Sequence, residues 1–160
     1  MLPIGMPAKK LRLDDFIPYR LSFTSNLVSD SIAAAYQALF GISIPEWRVI
    51  ALVAEKDAGI TQQEICANSR MDKVTVSRAA ITLVERKLLD RSPNPADKRS
   101  HLLVLSTEGR QLYAAIAPKA LELEQRIFAA FDESEIAGFV SMLRRIDDVA
   151  LQLAHGSDKS

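Results

Sequence analysis

The chain has 160 residues, of which 48% are hydrophobic and 25% charged, values typical of one globular domain with its own core. Its 20 basic and 20 acidic residues balance, no apolar run approaches the roughly 18 residues of a membrane span, and the first residues lack the apolar core of a signal peptide, so we expect a cytoplasmic protein with no membrane partner. One cysteine excludes an intrachain disulfide, and with only two distant histidines we predict neither a metal site nor a cofactor.

The charges are distributed unevenly along the chain. Residues 70–99 contain eight Lys and Arg against four Asp and Glu, a net charge of +4, whereas residues 106–150 have a net charge of −3. A basic middle segment favours an anionic partner for that segment, although charge runs are more often solvated faces.

Helix signals begin near the N-terminus. Asp14 and Asp15 are placed to cap a first helix with Pro18 in its first turn, and Gly41 can end it. Apolar spacing predicts a helix over residues 14–40. The positions that repeat at intervals of four and three are Leu21, Ser25, Val28, Ile32, Ala35 and Leu39.

Three further cap signals follow in the middle of the chain. Ser43-Ile44-Pro45-Glu46 and Thr61-Gln62-Gln63-Glu64 are capping boxes, and Asp72 can cap a helix that runs to about Lys87. Residues 68–70, Asn-Ser-Arg, indicate a turn between the last two helices. Two short capped helices joined by a tight turn are typical of a helix-turn-helix. The apolar face predicted for the helix after Ser43 comprises Trp47, Ile50, Ala51 and Ala54.

The periodicity then changes to that of strands. Residues 88–92 and 101–105 are short β-compatible runs, and residues 93–100 between them contain two prolines and cannot be helical. We predict a β-hairpin with charges at its tip. A helix-turn-helix followed by such a hairpin is a winged helix, here over residues 43–105, which gives a mainly α fold with a small β-hairpin wing.

Residues 106–155 are predicted to form two long helices. Ser106-Thr107-Glu108 starts the first, Pro118 should kink it, and Asp132-Glu133-Ser134-Glu135 starts the second. The last helix carries an apolar seam at alternating intervals of three and four. A small winged helix cannot cover the apolar stripes of residues 14–40 and 106–155, so we expect them to pair with a second copy, the alternative being packing on the same chain. The predicted interface residues are Leu21, Val28, Ile136, Phe139, Leu143 and Ile146.

The residue types of the winged helix suit DNA. Val76, Ala79 and Leu83 can face the core. The outward candidates for contacts to bases or phosphates are Lys73, Thr75, Ser77 and Arg78. Free N–H groups at the start of the preceding helix suit a phosphate, and they belong to Thr61, Gln62 and Gln63. At the hairpin tip Arg99 suits a narrow minor groove and Lys98 a phosphate, while Asp97 orients the guanidinium or the turn.

Two segments resemble the MarR family of winged-helix regulators. They are DKVTVSRAAITLVERKLLDRS at residues 72–92 and DKRSHLLVLSTEGR at residues 97–110. The second is similar to the family's wing signature, D-x-R-x-x-x-V-x-L-T-x-x-G-R, with Ser106 in place of the usual threonine. One departure is Lys87, where many members have glycine. A lysine in a left-handed cap is mildly strained, so we expect this helix to end differently.

The resemblance implies a single MarR-type domain over residues 1–160. It implies a homodimer that binds a pseudo-palindromic double-stranded DNA operator, usually as a repressor in transcription regulation. It also implies release of the DNA by a small aromatic effector, often a phenol or an aromatic acid. Residues 43–51, SIPEWRVIA, look like the subgroup that regulates aromatic catabolism, some of whose members respond to CoA thioesters. The effector-binding candidates in the corresponding elements are Tyr19, Arg20, Tyr36, Trp47 and Arg48.

Three other readings stay open from the sequence. A redox switch through Cys66 would release DNA on oxidation, although a buried small apolar residue is expected at that position. An enzyme would use Asp97, Ser100 and His101 as acid, nucleophile and base, but one exposed turn offers no means to exclude water, so we predict that the chain is not an enzyme. The third reading is a winged helix that binds only protein. Effector, operator, target genes and the sign of regulation do not follow from the residues.

Overall fold

The computed structural model describes residues 9–157, so the residues on which the signal-peptide expectation chiefly rests lie outside it. A short 3-10 turn (Leu13–Asp15) precedes α1. The elements are α1 (Ile17–Ala33), α2 (Gln37–Phe40), α3 (Ile44–Ala54), α4 (Gln62–Ser69), α5 (Lys73–Glu85), β1 (Leu89–Pro93), β2 (His101–Leu105), α6 (Thr107–Phe128) and α7 (Glu133–Ser157). This order confirms the mainly α fold with one antiparallel hairpin. The chain divides into two compact units, Met1–Leu123 and Glu124–Ser160. Within the described residues no helix is both long and apolar enough to cross a membrane.

The predicted cap of the first helix is wrong. Asp14 and Asp15 lie in the 3-10 turn, and Phe16 occupies the N-cap position of α1 without a side-chain hydrogen bond. Pro18 lies in the first turn, as expected. The carboxylates therefore precede the helix by a turn, because local residue type favours a cap without fixing which residue begins the helix.

The segment 14–40 is two helices and not one. The chain leaves α1 after Ala33 and starts α2 at Gln37, and the ring of Tyr36 between them is buried in the core. Neither glycine nor proline marks this break, so packing of Tyr36 imposes it. Gly41 ends α2 in the left-handed conformation at φ 61°, as predicted, and Arg86 donates to its carbonyl at 3.0 Å.

The other cap predictions are confirmed. Ser43 and Thr61 each form a reciprocal capping box with the glutamate three residues later. Asp72 accepts a hydrogen bond from the Thr75 N–H at 2.7 Å. Asp132 accepts from the Glu135 N–H at 2.8 Å, and the Glu135 carboxylate accepts from the Asp132 N–H at 3.2 Å.

Lys87 adopts the left-handed conformation that glycine would favour, with φ 61°. Its N–H donates to the Val84 carbonyl at 3.0 Å, and the Leu88 N–H donates to the Leu83 carbonyl at 2.9 Å. This pair of bonds is a Schellman motif, and the buried leucines supply its apolar contact. The helix thus ends as a glycine-capped helix would, despite the lysine.

The core of the first unit is formed by residues from α1 through α6. Val76, Ala79 and Leu83 are buried, as predicted. In α3 the fully buried residues are Val49, Ile50 and Val53, whereas the other predicted face residues, Trp47, Ala51 and Ala54, are only half-buried, Trp47 against the core. The reason is that α3 packs on both α5 and β2, and a single stripe does not describe two partners. The largest fully buried side chains are Tyr36, Ile42, Ile50, Ile60, Ile65, Leu83, Leu89, Leu103 and Ile116.

The end of the wing is joined to α6 through one buried hydroxyl. Ser106 Oγ donates to the Lys87 carbonyl at 2.7 Å and accepts from the Gly109 N–H at 2.9 Å. A Cβ at position 109 would overlap the Leu88 carbonyl oxygen, so only glycine allows this approach. The serine and the glycine of the wing signature therefore have a structural role at the junction of β2 and α6.

The last helix has an exposed apolar face in the single chain. Among residues 133–156 no side chain of α7 is fully buried, while Phe139 and Ile146 are exposed and Ile136 and Leu143 are half-buried. In the first unit Leu21 is exposed and Val28 is half-buried. The six predicted interface residues thus leave apolar surface uncovered, and the dimer itself stays a prediction. The helix α6 continues through Pro118.

Candidate nucleic-acid interface

The wing is attached to the start of α4 by main-chain hydrogen bonds. The Ile60 N–H donates to the Leu103 carbonyl at 3.1 Å, and the Leu103 N–H donates back at 2.9 Å. Gly59, at φ 103°, precedes this bridge, and a Cβ there would lie 2.9 Å from the Cβ of Leu102. Thr61, the N-cap of α4, therefore begins beside β2.

The hairpin register decides which side chains face the helices. Arg91 lies opposite Leu103, and Pro93 lies opposite His101, in an antiparallel pair. Alternate residues of a strand and their cross-strand partners share a face, so Arg91, Leu103 and His101 point the same way. They turn towards α4 and α5 and help to line a groove of about 350 Å³, which we call the wing groove. Its lining residues are Thr61, Gln62, Gln63, Ser77, Ile81, Arg91, Arg99, Ser100, His101 and Leu103.

The wing groove brings together five of the predicted DNA-contact residues, from three separate elements. Sequence reasoning missed Arg91 and His101, which share the groove with them. Arg91 belongs to the basic middle segment and His101 lies just beyond it, but their direction depends on the strand register, which the apolar pattern of β1 is too short to fix. The charge count was the only signal that could have pointed to Arg91.

The wing tip is held by side-chain hydrogen bonds to its own backbone. Asp97 Oδ1 accepts from the Arg99 N–H at 2.9 Å, so this carboxylate orients the turn. The Asn94 amide donates to Ser100 Oγ at 2.9 Å and closes the loop from the other side. The side chains of Lys98 and Arg99 take no part in these bonds and are exposed.

The exposed surface of α5 has two flanks. Ser77 and Ile81 face the wing groove. Thr75 and Arg78 line a second hollow, of about 280 Å³, with the start of α3. Lys73 is exposed at the first position of the helix. The four predicted contact residues of α5 are therefore all at its accessible surface, but they do not form one row.

The hydroxyl of Thr75 is engaged within the helix cap. It donates to Asp72 Oδ2 at 2.9 Å, while the Thr75 N–H donates to Oδ1. These two bonds, the backbone bond first, lower the pKa of Asp72 below its ordinary value. The Thr75 hydroxyl can thus accept a hydrogen bond from DNA but has no free proton to donate to it.

The cations around α5 and the wing form no ion pair within the part of the chain that the structure describes. Within residues 9–157 no carboxylate oxygen lies within 4.0 Å of the charged nitrogens of Lys73, Arg78, Arg91, Lys98 or Arg99. All five side chains are exposed. An uncompensated group of this kind is an electrostatic footprint for a polyanion.

The start of α4 leaves two N–H groups for an anion. The box between Thr61 and Glu64 uses the N–H groups of those two residues, at 3.1 Å each. The N–H groups of Gln62 and Gln63 belong to the first turn and have no acceptor within the helix. They lie at the edge of the wing groove, in a position that suits a phosphate.

Known proteins are similar to this part of the chain. The sequence profile described as "MarR family" matches residues 40–100, which include the helix-turn-helix and the wing tip. Residues 40–100 of this chain are thus similar to the winged helix of MarR-family transcriptional regulators. A relative from Bacillus subtilis strain 168, named as the uncharacterized HTH-type transcriptional regulator YdcH, is 32% identical over 87 residues. The match covers 54% of this chain and 58% of YdcH, so the chain spans less than two thirds of that relative.

Solved structures of other proteins have the same fold. A MarR/EmrR family transcriptional regulator from Acinetobacter sp. ADP1 superposes with a TM-score of 0.80 at 25% identity, covering 89% of this chain and 99% of that one. CouR from Rhodococcus jostii RHA1, solved bound to p-coumaroyl-CoA, gives 0.75 at 23% identity, covering 86% and 95%. The likeness extends beyond the winged helix to most of both chains.

Three aromatic rings stack beside the winged helix. The centroids of Tyr36 and Trp47 lie 5.5 Å apart, and those of Trp47 and Tyr113 lie 5.8 Å apart with an interplanar angle of 18°. We call Tyr36, Trp47 and Tyr113 the ring stack. Burial raises the pKa of Tyr36, Arg48 opposes that rise, and Asp30 adds to it. Sequence reasoning missed Tyr113, which lies next to Leu112 on α6 and packs with it against the core.

The predicted effector residues fall into two groups. Arg48 lies near Tyr36 and donates to Ser29 Oγ at 3.3 Å, whereas Arg20 pairs with Asp14 at 3.2 Å near the start of α1. Nine residues separate Arg20 from Ser29, about 13 Å along a helix axis. Tyr19 lies with Arg20, its ring 6.1 Å from that of Phe23. The structure thus brings Tyr36, Trp47 and Arg48 together and places Tyr19 and Arg20 elsewhere.

The residues of the alternative interpretations, an enzyme and a redox switch, lie in the following places. Ser100 Oγ bonds to the Asn94 amide and the Asp97 carbonyl, and within the described chain it has no hydrogen bond to His101. The relative YdcH and the Acinetobacter structure are both named as transcriptional regulators. Cys66 is half-buried against the core. Over residues 9–157 no three His, Cys, Asp or Glu side chains converge as a metal site would require.

Proposed function

We propose that the chain is a homodimeric, sequence-specific DNA-binding transcriptional regulator that acts as a repressor in the cytoplasm. The wing groove is the observation that supports this most strongly. It joins the N-terminus of α4, one flank of α5 and the cationic wing on one accessible surface. The partnerless cations there are the chemistry that duplex phosphates recognise.

The proposed docking follows from the three elements. The N-terminal part of α5 enters the major groove, where Lys73, Ser77 and Arg78 approach base edges. The first turn of α4 binds a phosphate through main-chain N–H groups, which positions the protein without reading sequence. Arg99 enters the adjacent minor groove, and Lys98 and Arg91 bind phosphates along the same strand.

The uncovered apolar faces support the homodimer. A 25-residue helix such as α7 gains most of its stability from burying an apolar face, yet no side chain among residues 133–156 is fully buried in the single chain. A second copy that covers Ile136, Phe139, Leu143 and Ile146 would supply that burial. A two-fold dimer would also present two copies of α5 to two half-sites of an operator.

The DNA contacts are tested on a duplex that the full chain selects from a random pool, which we call the selected duplex. Affinity should fall steeply with salt, and Lys98→Ala should reduce the slope of log K against log salt by about 1.8, one phosphate contact in each protomer. Arg99→Ala should cost more affinity when the flanks are A·T-rich than when they are G·C-rich. Arg144→Ala removes the same charge from an exposed site on α7 and is the control. An unchanged slope in Lys98→Ala would contradict the phosphate contact.

We further propose that a small aromatic acid, or its CoA thioester, binds at the ring stack and releases the DNA. An aromatic ligand that enters between the stacked rings would meet their flat apolar faces, and Arg48 offers a donor for a carboxylate or thioester oxygen. The CoA thioester bound by the structural neighbour CouR supports this chemistry. The subgroup for aromatic catabolism is part of the same proposal.

Trp47 makes effector binding directly measurable. It is the only tryptophan of the chain, so its fluorescence reports the ring stack alone. A panel of aromatic acids and CoA thioesters should include a compound that changes Trp47 emission and weakens DNA binding over the same concentration range. Arg48→Gln should weaken binding of that compound. A compound that releases DNA without changing Trp47 emission would place the effector site elsewhere.

Release of the DNA requires a ligand that binds more tightly to the arrangement of the dimer that does not bind DNA. The ring stack joins the start of α2, α3 and α6, so a ligand that separates the rings would move α3 relative to α6. A preference of a few kcal/mol is enough to shift the population. Peroxide tests the alternative, a redox switch: release of DNA by peroxide that Cys66→Ser abolishes would replace the aromatic effector by oxidation.

A further inference from the structure

We propose that Val74 reads the methyl group of a thymine in the operator half-site. The inference rests on the proposed function, because it assigns a specificity-determining residue to the same DNA-binding surface. Its basis is an exposed apolar side chain at the N-terminal turn of the helix that would enter the major groove.

Val74 lies at the middle of the exposed face of α5, between its two flanks. With 100° between successive residues, it is about 60° from Ser77 on the side of the wing groove and about 40° from Arg78 on the opposite flank. It lines neither of the two hollows that flank the helix. The side chain is 58% exposed and is the second residue of the helix. Residues at this end of a recognition helix are those that approach base edges.

The fold does not explain a valine at this position. Its side chain is outside the hydrophobic core, to which Val76 two residues later belongs. A β-branched residue is also a poorer helix former than alanine, so helix stability does not favour it. An exposed apolar residue that serves neither the core nor the stability of the helix is a candidate for contact with DNA when it lies on the proposed DNA-binding surface.

No neighbouring side chain covers Val74 at the middle of the exposed face of α5. The Thr75 hydroxyl donates to Asp72, and Thr75 lies about 100° around the helix. Lys73 and Arg78 carry the charges that would meet a phosphate or a guanine on either side. A branched apolar group between two cations matches the edge of an A·T pair, where the thymine methyl group is the apolar feature of the major groove.

The test removes single methyl groups from the selected duplex. Each thymine of a half-site is replaced in turn by deoxyuridine, which lacks only the 5-methyl group. One position should weaken binding of the wild-type chain about four-fold, the factor that burial of one methyl group gives. Val74→Ala should weaken binding of the thymine duplex by at least a similar factor and should bind the deoxyuridine duplex at that position without further loss. The alanine favours the helix, so the variant should fold.

The matched control is Glu85→Ala, on the same face of α5 but three turns further along, beyond the major-groove end. It should respond to deoxyuridine as the wild type does. The inference would be overturned, while DNA binding stands, if Val74→Ala lost the same factor of affinity relative to wild type on the thymine duplex and on the deoxyuridine duplex. A half-site in which no thymine methyl group affects binding would overturn it as well. Failure of the wild-type chain to select any duplex would overturn the proposed function together with it.

Discussion

Replacement of Ser106 by alanine tests the junction that holds the wing to α6. The side chain is only 7% exposed, and its hydroxyl serves two partners at once. It donates to the Lys87 carbonyl at 2.7 Å and accepts from the Gly109 N–H at 2.9 Å. Alanine removes both bonds and adds none.

The two losses set the expected magnitude. Loss of an N-cap acceptor typically costs about 1 kcal/mol. A main-chain carbonyl that loses its donor in a shielded site costs about 1–3 kcal/mol. We therefore expect Ser106→Ala to lower the free energy of unfolding by about 2–4 kcal/mol. Ser106→Thr keeps the hydroxyl, as in the family's wing signature, and should cost less than about 1 kcal/mol.

Urea unfolding followed by circular dichroism measures this difference. Wild type, Ser106→Ala and Ser106→Thr are compared at one protein concentration, because the stability of a dimer depends on concentration. A change below about 0.5 kcal/mol for the alanine variant, the range of an ordinary surface substitution, would refute the reasoning. An equal loss in both variants would show that volume and not hydrogen bonding decides the result.

Three further predictions follow from single sites. Gly109→Ala should destabilise the chain by about 1–3 kcal/mol in urea unfolding, because its Cβ would overlap a carbonyl, whereas Gly138→Ala, where a Cβ meets nothing within 4 Å, should not destabilise it. The pKa of Asp72 is lower in the folded state than in the unfolded state. The stability that the Asp72 carboxylate contributes is therefore complete above the unfolded-state pKa and is lost as the pH falls through the folded-state pKa. Asp72→Asn should remove that part of the pH dependence of the free energy of unfolding. The folded-state pKa of Tyr36 is raised, so its contribution is present below the unfolded pKa and lost as pH rises through the folded one. Ultraviolet titration should show a further rise of that pKa in Arg48→Gln, and an unchanged pKa would contradict the contact.

Helix starts were the most predictable features because they depend on neighbouring residues. The boxes at Ser43, Thr61 and Asp132 and the cap at Asp72 each join groups three residues apart, so the sequence contains the whole interaction. The same local reasoning failed at Asp14, where two carboxylates form a 3-10 turn and cap no α-helix.

Features that depend on distant partners were not predictable in the same way. The break at Tyr36 arises because its ring stacks on Trp47, eleven residues later. Arg91 joins the wing groove only because β1 pairs with β2 in one register. Tyr113 extends the ring stack from a helix that begins after the wing. The candidate DNA residues could be named from a helix-turn-helix pattern, but the effector group required the tertiary structure.

Selection of duplexes from a random pool by the full chain tests the central claim most directly. The account predicts a pseudo-palindrome whose two half-sites lie about one helical turn apart, roughly 34–36 Å, because two copies of α5 in a dimer read adjacent turns of the major groove. The bound complex should contain two protomers. Enrichment of no sequence at low salt, or of a site without two-fold symmetry bound by one protomer, would contradict the account.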